Sequence, residues 1–197
     1  MSAPPAPPLL LASTSPQRRA ILTQLGLPFD VVAPKYEEQW SPGQDAIEGV
    51  REHARGKAAS VAEEAGERPV VGVDTAVVLD GEVFGKPASE GDAADMLGRL
   101  GGRTHLVISG LCLRTPGWEV LEHEATRVVF RRLTPRDVAA YVATEEWRDR
   151  AGGYAIQGRG AALVERIEGD YLNVVGLPAA LLVRLLAERL TGTYGFG

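Results

Sequence analysis

Two stretches of this sequence place chemically useful side chains where a strand gives way to a helix or a turn. In Leu11-Ala12-Ser13-Thr14-Ser15-Pro16-Gln17-Arg18-Arg19, hydroxyls and two guanidiniums follow an apolar run. Free backbone N–H groups and the helix dipole attract an anion at such a point, and a guanidinium can grip two phosphate oxygens at once. The same pattern also describes a capped helix with solvated arginines. In Val70-Val71-Gly72-Val73-Asp74-Thr75, an apolar, β-branched strand ends on a carboxylate, where open α/β sheets tend to place ligands. Asp74 could bind a divalent ion or take a proton from water, or it could form a turn. Glu37 and Glu38 lie in a polar loop able to bring a second carboxylate to the same ion; taken alone they read as solvated.

Lysine usage adds a third pointer, for only Lys35, Lys57 and Lys86 stand against eighteen arginines. An ammonium is a compact, strongly hydrated charge that suits phosphate oxygens, and an arginine fork does not replace it geometrically. Other chemistries are disfavoured. Gly81 to Pro87 has the wrong spacing for a phosphate loop and proline where Ser/Thr should bind magnesium. Gly153 to Gly160 lacks the dinucleotide fingerprint, and His53, His105 and His123 show no metal-ligand spacing. No nucleophile–histidine–acid pattern is present.

The elements that must hold these residues read as an α/β fold. Leu9 to Ala12 is a first strand feeding a helix that Ser15 caps and that ends near Gly26. Phe29 to Ala33 is a second strand, Pro34 to Gln44 a loop, and Asp45 to Ala65 one helix weakened by Gly49 and Gly56. Pro69 to Leu79 is a buried strand and Asp80-Gly81 a hairpin turn. Ser89 opens a helix through Arg99, and Arg103 to Arg114 and Glu119 to Arg132 form a hairpin through Pro116-Gly117. Thr134-Pro135-Arg136-Asp137 is a capping box, and Pro178 to Leu190 a closing helix. Early alternation followed by paired strands predicts a mixed central sheet with flanking helices.

Composition limits the partners. A formal charge of −5 argues against polymeric nucleic acid, so any nucleotide ligand should be small. The single Cys112 sits in an apolar run, reads as a core thiol, and suits a reducing cytoplasm. No stretch is apolar enough to span a bilayer, and the Pro/Ala-rich start lacks the features of a signal peptide. Residues 1–8 are expected to be a flexible tail, 9–190 a single domain and 191–197 a C-terminal tail.

Taken together, Leu11-Ala12-Ser13-Thr14-Ser15-Pro16-Gln17-Arg18-Arg19, Glu37-Glu38, Lys57-Ala58-Ala59, Gly72-Val73-Asp74-Thr75, Gly85-Lys86-Pro87, Gly102-Arg103-Thr104-His105, Ala151 to Gly158 and Asn173 to Pro178 resemble the Maf family. The resemblance runs from about residue 9 to residue 190, with many blocks in one order. It implies a nucleoside triphosphate pyrophosphatase with a divalent metal (Mg or Mn), in a two-lobed, inosine-triphosphatase-like fold around a cleft. Asp74-Thr75 with Ile156-Gln157-Gly158 is similar to the branch acting on dTTP and UTP. Two positions depart from that branch: Gln17 stands where it usually carries arginine, and Arg150 where it usually has lysine. On this resemblance Ser13, Arg18, Lys57 and Lys86 meet the phosphates, Glu38 and Asp74 the metal, and Asp74 also accepts the proton of the attacking water. Gln17, Thr75 and Gln157 are assigned to the base, since an amide offers the adjacent donor and acceptor that match the imide edge of uracil and thymine. A homodimer is also implied. The competing class is a nucleotide-binding regulator of septum formation or cell shape, using the same pocket with little catalysis; a water-activating carboxylate beside lysines favours the enzyme. A phosphatase of the haloacid dehalogenase type lacks the acid it needs two residues after Asp74.

Overall fold

The computed structural model describes residues 6–196. Its strands are β1 (Leu9–Ala12), β2 (Phe29–Val32), β3 (Val70–Leu79), β4 (Glu82–Phe84), β5 (Thr104–Thr115), β6 (Trp118–Phe130) and β7 (Val164–Glu168). Its helices are α1 (Pro16–Gln24), α2 (Ala46–Ala59), α3 (Ala62–Ala65), α4 (Glu90–Leu100), α5 (Pro135–Val142), α6 (Tyr171–Val175) and α7 (Ala179–Arg189). The strands order β2-β1-β3-β5-β6-β7 in one seven-stranded sheet, with β4 on β3. β1 runs parallel to β2 and β3, whereas β3–β4 and β6–β7 are antiparallel, so the sheet is mixed as expected.

Two compact units are distinguished. Among the described residues the first comprises 6–74, 109–124 and 176–196; the second 75–108 and 125–175. In the first, the buried run Leu9–Ala12 forms β1, and Leu10, Ala12, Ala54, Ala58, Val70 and Cys112 close a core beneath α2. Burial pushes the Cys112 thiol up to about 12, which leaves it inert. In the second, Phe84, Leu97, Phe130, Tyr141, Trp147 and Tyr154 belong to a separate cluster.

Local signals explain most boundaries. Ser15, Ser89 and Thr134 cap α1, α4 and α5 with their hydroxyls, and Asp137 completes the capping box. Asp80 and Gly81 both take positive φ (52° and 82°) in the two-residue turn that pairs Leu79 with Glu82. The long helix expected from Asp45 to Ala65 divides instead into α2 and α3. Its break lies at Ser60-Val61, not at either glycine, because the Ser60 hydroxyl donates to the Lys57 carbonyl (2.8 Å) and accepts the Lys35 amide (3.1 Å). The short β4, β7 and α6 were not legible in the sequence. Of the expected tails, residues 1–5 and Gly197 lie outside the described residues; Tyr194 Oη donates to the Pro7 carbonyl at 2.9 Å.

Candidate active site

β1 ends at Ala12, and the chain turns through Ser13 into the N-terminus of α1. Ser13 is buried, and its hydroxyl accepts the Ser15 amide (3.2 Å) and an Arg18 guanidinium nitrogen (3.1 Å). Arg18 Nε donates to the carbonyl of Gly176 at 2.9 Å, so this half-buried side chain is held at two points. Burial pulls Arg18 below its ordinary value, and the carboxylates of Asp74 and Glu38 oppose that pull. Arginine keeps its charge under such a shift. The guanidinium therefore stands in the field of both carboxylates. Gln17 Oε1 accepts the Ser15 hydroxyl at 2.9 Å, which ties Gln17 to the helix cap.

The acids meet at Lys57. Its ammonium, on α2, lies 2.6 Å from Asp74 Oδ1, 2.6 Å from Glu38 Oε1 and 3.4 Å from the Val73 carbonyl. The side chains of Lys57 and Asp74 are 7% and 8% exposed, and that of Glu38 is 42% exposed. A buried ammonium is costly unless it is paired and hydrogen-bonded; two carboxylates and a carbonyl supply that pairing. Lys57 reaches Asp74 because α2 packs unusually close to the sheet. A Cβ on Gly72 would fall 2.2 Å from the Ala54 carbonyl oxygen, and one on Gly110 2.2 Å from that of Val50. Glycine at these two strand positions admits the helix backbone.

Ser13, Arg18, Glu38, Lys57 and Asp74 are thus brought together, with two acids facing two bases. Glu37 is exposed. Thr75, Lys86 and Gln157 belong to the second unit. Thr75 is half-buried just after Asp74 on β3, while Lys86 and Gln157 are exposed. The Gly152 amide donates to the Gly85 carbonyl at 3.0 Å, tying the loop of Lys86 to the segment leading to Gln157. That segment has a further holder that the sequence reading did not single out. Glu146 Oε2 accepts the amides of Arg159 (2.7 Å) and Gly160 (3.4 Å), and a Cβ on Gly158 would meet it at 2.5 Å. The sequence offered only an acid eleven residues before Gln157, with nothing to mark the fold-back.

His53 and His105 are buried, in keeping with structural roles, and His123 is exposed. An apolar groove of about 660 Å³, lined by Ala94, Leu133, Val138 and Val142 among others, contains none of the expected site residues.

Among the described residues no group of three or more His, Cys, Asp or Glu side chains could hold a metal ion. Glu38 and Asp74 nevertheless provide two hard oxygen donors on one centre. Magnesium is commonly bound by one or two carboxylates with substrate phosphates and water completing the shell. The donor set therefore fits a hard divalent cation shared with a phosphate ligand and gives no all-protein cage.

A family model described as Maf-like protein matches residues 8–189. A dTTP/UTP pyrophosphatase of Gloeobacter violaceus is 49% identical over 181 residues, covering 91% of this chain and 95% of that protein. A dTTP/UTP pyrophosphatase of Nitratidesulfovibrio vulgaris is 49% identical over 187 residues, covering 93% and 89%. One of Deinococcus radiodurans is 43% identical over 197 residues and covers 100% of both chains. Among solved structures, the Staphylococcus aureus Ham1 protein gives a TM-score of 0.49 at 14% identity, covering 93% of this chain and 100% of that one. That overlap is too low to assign a fold family by itself. The match across nearly the whole length, together with relatives approaching half identity, shows that the chain belongs to the family of Maf-like proteins.

Proposed function

We propose that this chain is a nucleoside triphosphate pyrophosphatase that hydrolyses dTTP and UTP to the nucleoside monophosphate and pyrophosphate. The observation that carries this reading is the buried Lys57–Asp74 pair, closed by Glu38 and faced by Arg18. A water-activating carboxylate is here held in place by an ammonium beside further cationic charge. A site that only bound phosphates would have no use for two acids among its bases.

In the reaction, water attacks the α-phosphorus, the bond from that phosphorus to the oxygen bridging to the β-phosphate breaks, and pyrophosphate leaves with the bonding electrons. Asp74, held by Lys57 through Oδ1, takes the proton from water. Ser13, Arg18, Lys57 and Lys86 bind the triphosphate. Arg18, anchored by Ser13 and Gly176, presents its charge from a fixed position, which spares reorganisation as the transition state forms. A divalent cation, Mg or Mn, would be held by Glu38 and Asp74 and supplies neutralisation of phosphate charge when bound. Thr75 and Gln157 read the base, with Gln17 as the third specificity position.

No helix among the described residues is long and apolar enough to cross a membrane. We place the enzyme in the cytoplasm, where its nucleotides and a reduced Cys112 belong, and as a homodimer; a sizing column with light scattering checks the latter. Purified protein incubated with a panel of canonical and modified nucleoside triphosphates, with Mg or Mn, tests the reaction. Pyrophosphate rather than orthophosphate, with dTTP and UTP leading, is the expected outcome. Binding without pyrophosphate release would make the protein a nucleotide sensor.

A further inference from the structure

Glu38 sits in the stretch between β2 and α2, which contains neither strand nor helix. A carboxylate on such a segment loses catalytic geometry unless the backbone is tied down. Two rings flank it, Tyr36 two residues before and Trp40 two residues after, and both rest on the glycines of α2. A Cβ on Gly49 would strike the Trp40 ring at 2.3 Å, and one on Gly56 the Tyr36 ring at 2.2 Å. Seven residues make about two helical turns, so the two notches lie on nearly one face. His53 lies between them, 1% exposed. Its Nδ1 shares a 3.0 Å hydrogen bond with Tyr36 Oη, and its ring meets that of Trp40 edge-on at 5.1 Å between centroids. Lys57, the partner of Glu38, follows Gly56 directly on the same helix.

We propose that Gly49, His53 and Gly56 form a seat for Tyr36 and Trp40, and that these five positioning residues set Glu38 against the Lys57–Asp74 pair. The proposal rests on the reading above, in which Glu38 serves the cation and triphosphate. It explains why α2 keeps two interior glycines that its helical propensity disfavours. They are present for the rings, and the helix bears them.

Substituting alanine for either glycine separates this role from ordinary stability, because Gly49→Ala and Gly56→Ala both favour the helix while displacing a ring. Melting temperature, hydrogen exchange of residues 34–44, pyrophosphate release from dTTP and the half-saturating Mn²⁺ concentration are measured on the full chain. With a displaced carboxylate, kcat should fall about ten- to hundredfold, exchange in 34–44 should quicken and the Mn²⁺ requirement should rise. KM for dTTP at saturating Mn²⁺ should stay within about threefold, since the other phosphate ligands remain. Both variants keeping kcat and Mn²⁺ requirement within about twofold of wild type would overturn the proposal. So would lost activity with unchanged exchange in 34–44, because the loss would then arise elsewhere. Should the alanine variants fail to fold, Tyr36→Phe deletes only the bond to His53 and should shift the same readouts in the same direction; unchanged values there overturn the proposal too. A wild-type protein that releases no pyrophosphate would sink the enzymatic reading, and Mn²⁺ binding followed by electron paramagnetic resonance, with the exchange rates, would then decide the seat alone.

Discussion

At the scale of single residues, Asp74 carries the heaviest demand. It keeps Lys57 compensated in a buried site, and in the proposed mechanism it also accepts a proton. Asp74→Asn preserves the shape and removes both the charge and the base, so kcat should fall on the order of 10²–10⁴ while the circular dichroism spectrum of the folded chain is retained. Glu38 still partners Lys57 in that variant, so folding should survive. Near-normal turnover would exclude Asp74 as the base. Gln157 is the corresponding test of specificity. In the proposed reading its amide pairs with the imide edge, and cytosine replaces a carbonyl acceptor with an amino donor. CTP should therefore trail dTTP and UTP in kcat/KM, and Gln157→Glu should cost both preferred substrates about 1–3 kcal/mol in transition-state binding. A competition assay that ranks the three nucleotides equally, or leaves the ranking unchanged in the variant, would remove Gln157 from the base site without touching the hydrolytic chemistry.

At the scale of elements, the decisive contact is α2 against the sheet. Lys57 meets Asp74 because Gly72 and Gly110 let the helix backbone come close, and Ala54 and Ala58 present only methyl groups to the strands. Gly72→Ala would insert a Cβ 2.2 Å from the Ala54 carbonyl oxygen, which lies in backbone and cannot swing aside. The helix must shift, at a cost of about 1–3 kcal/mol. For a chain of this size, a melting temperature lower by about 2–4 °C per kcal/mol is expected. Because Ala54 and Ala58 bracket Lys57, turnover should fall with stability. Thermal melts and kcat measured on the same preparation check this; an unchanged melt would mean that the sheet yields without resistance.

At the scale of the whole molecule, stability should carry an acid limb set by a buried histidine. His105 Nε2 is hydrogen-bonded to Tyr154 Oη at 2.8 Å, while its Nδ1 is buried without a partner and Phe130 lies edge-on. Burial lowers its pKa from 6.5 to about 4. The unfolded chain binds this proton first as pH falls, so the contribution is complete above about 6.5 and is lost progressively down to about 4. The full span of about 2.5 units corresponds to roughly 3 kcal/mol. Urea midpoints recorded between pH 7 and pH 5 should fall with acidification, and His105→Asn should flatten that slope. A wild-type midpoint independent of pH over this window would remove His105 as the source.

The sequence by itself determined most of the local structure and, through the order of its motifs, the resemblance to the Maf family. Caps, turns and apolar runs act over a few neighbours; hence α1, α4, α5 and the turn at Asp80-Gly81 were legible before any fold was known, while Ser13, Arg18, Glu38, Lys57 and Asp74 were expected at one site on the resemblance to the Maf family. The three-residue β4 and the partly exposed β7 escaped because such strands exist only through the partners they pair with. Gly49 and Gly56 read as weaknesses in a helix, since propensity is a local quantity, and only the tertiary structure set the Trp40 and Tyr36 rings against them. The meeting of Glu38 with Asp74 across one ammonium was likewise decided by packing. Residues 38, 57 and 74 lie on a loop, a helix and a strand, and nothing along the chain records the distances that close contact between α2 and the sheet imposes.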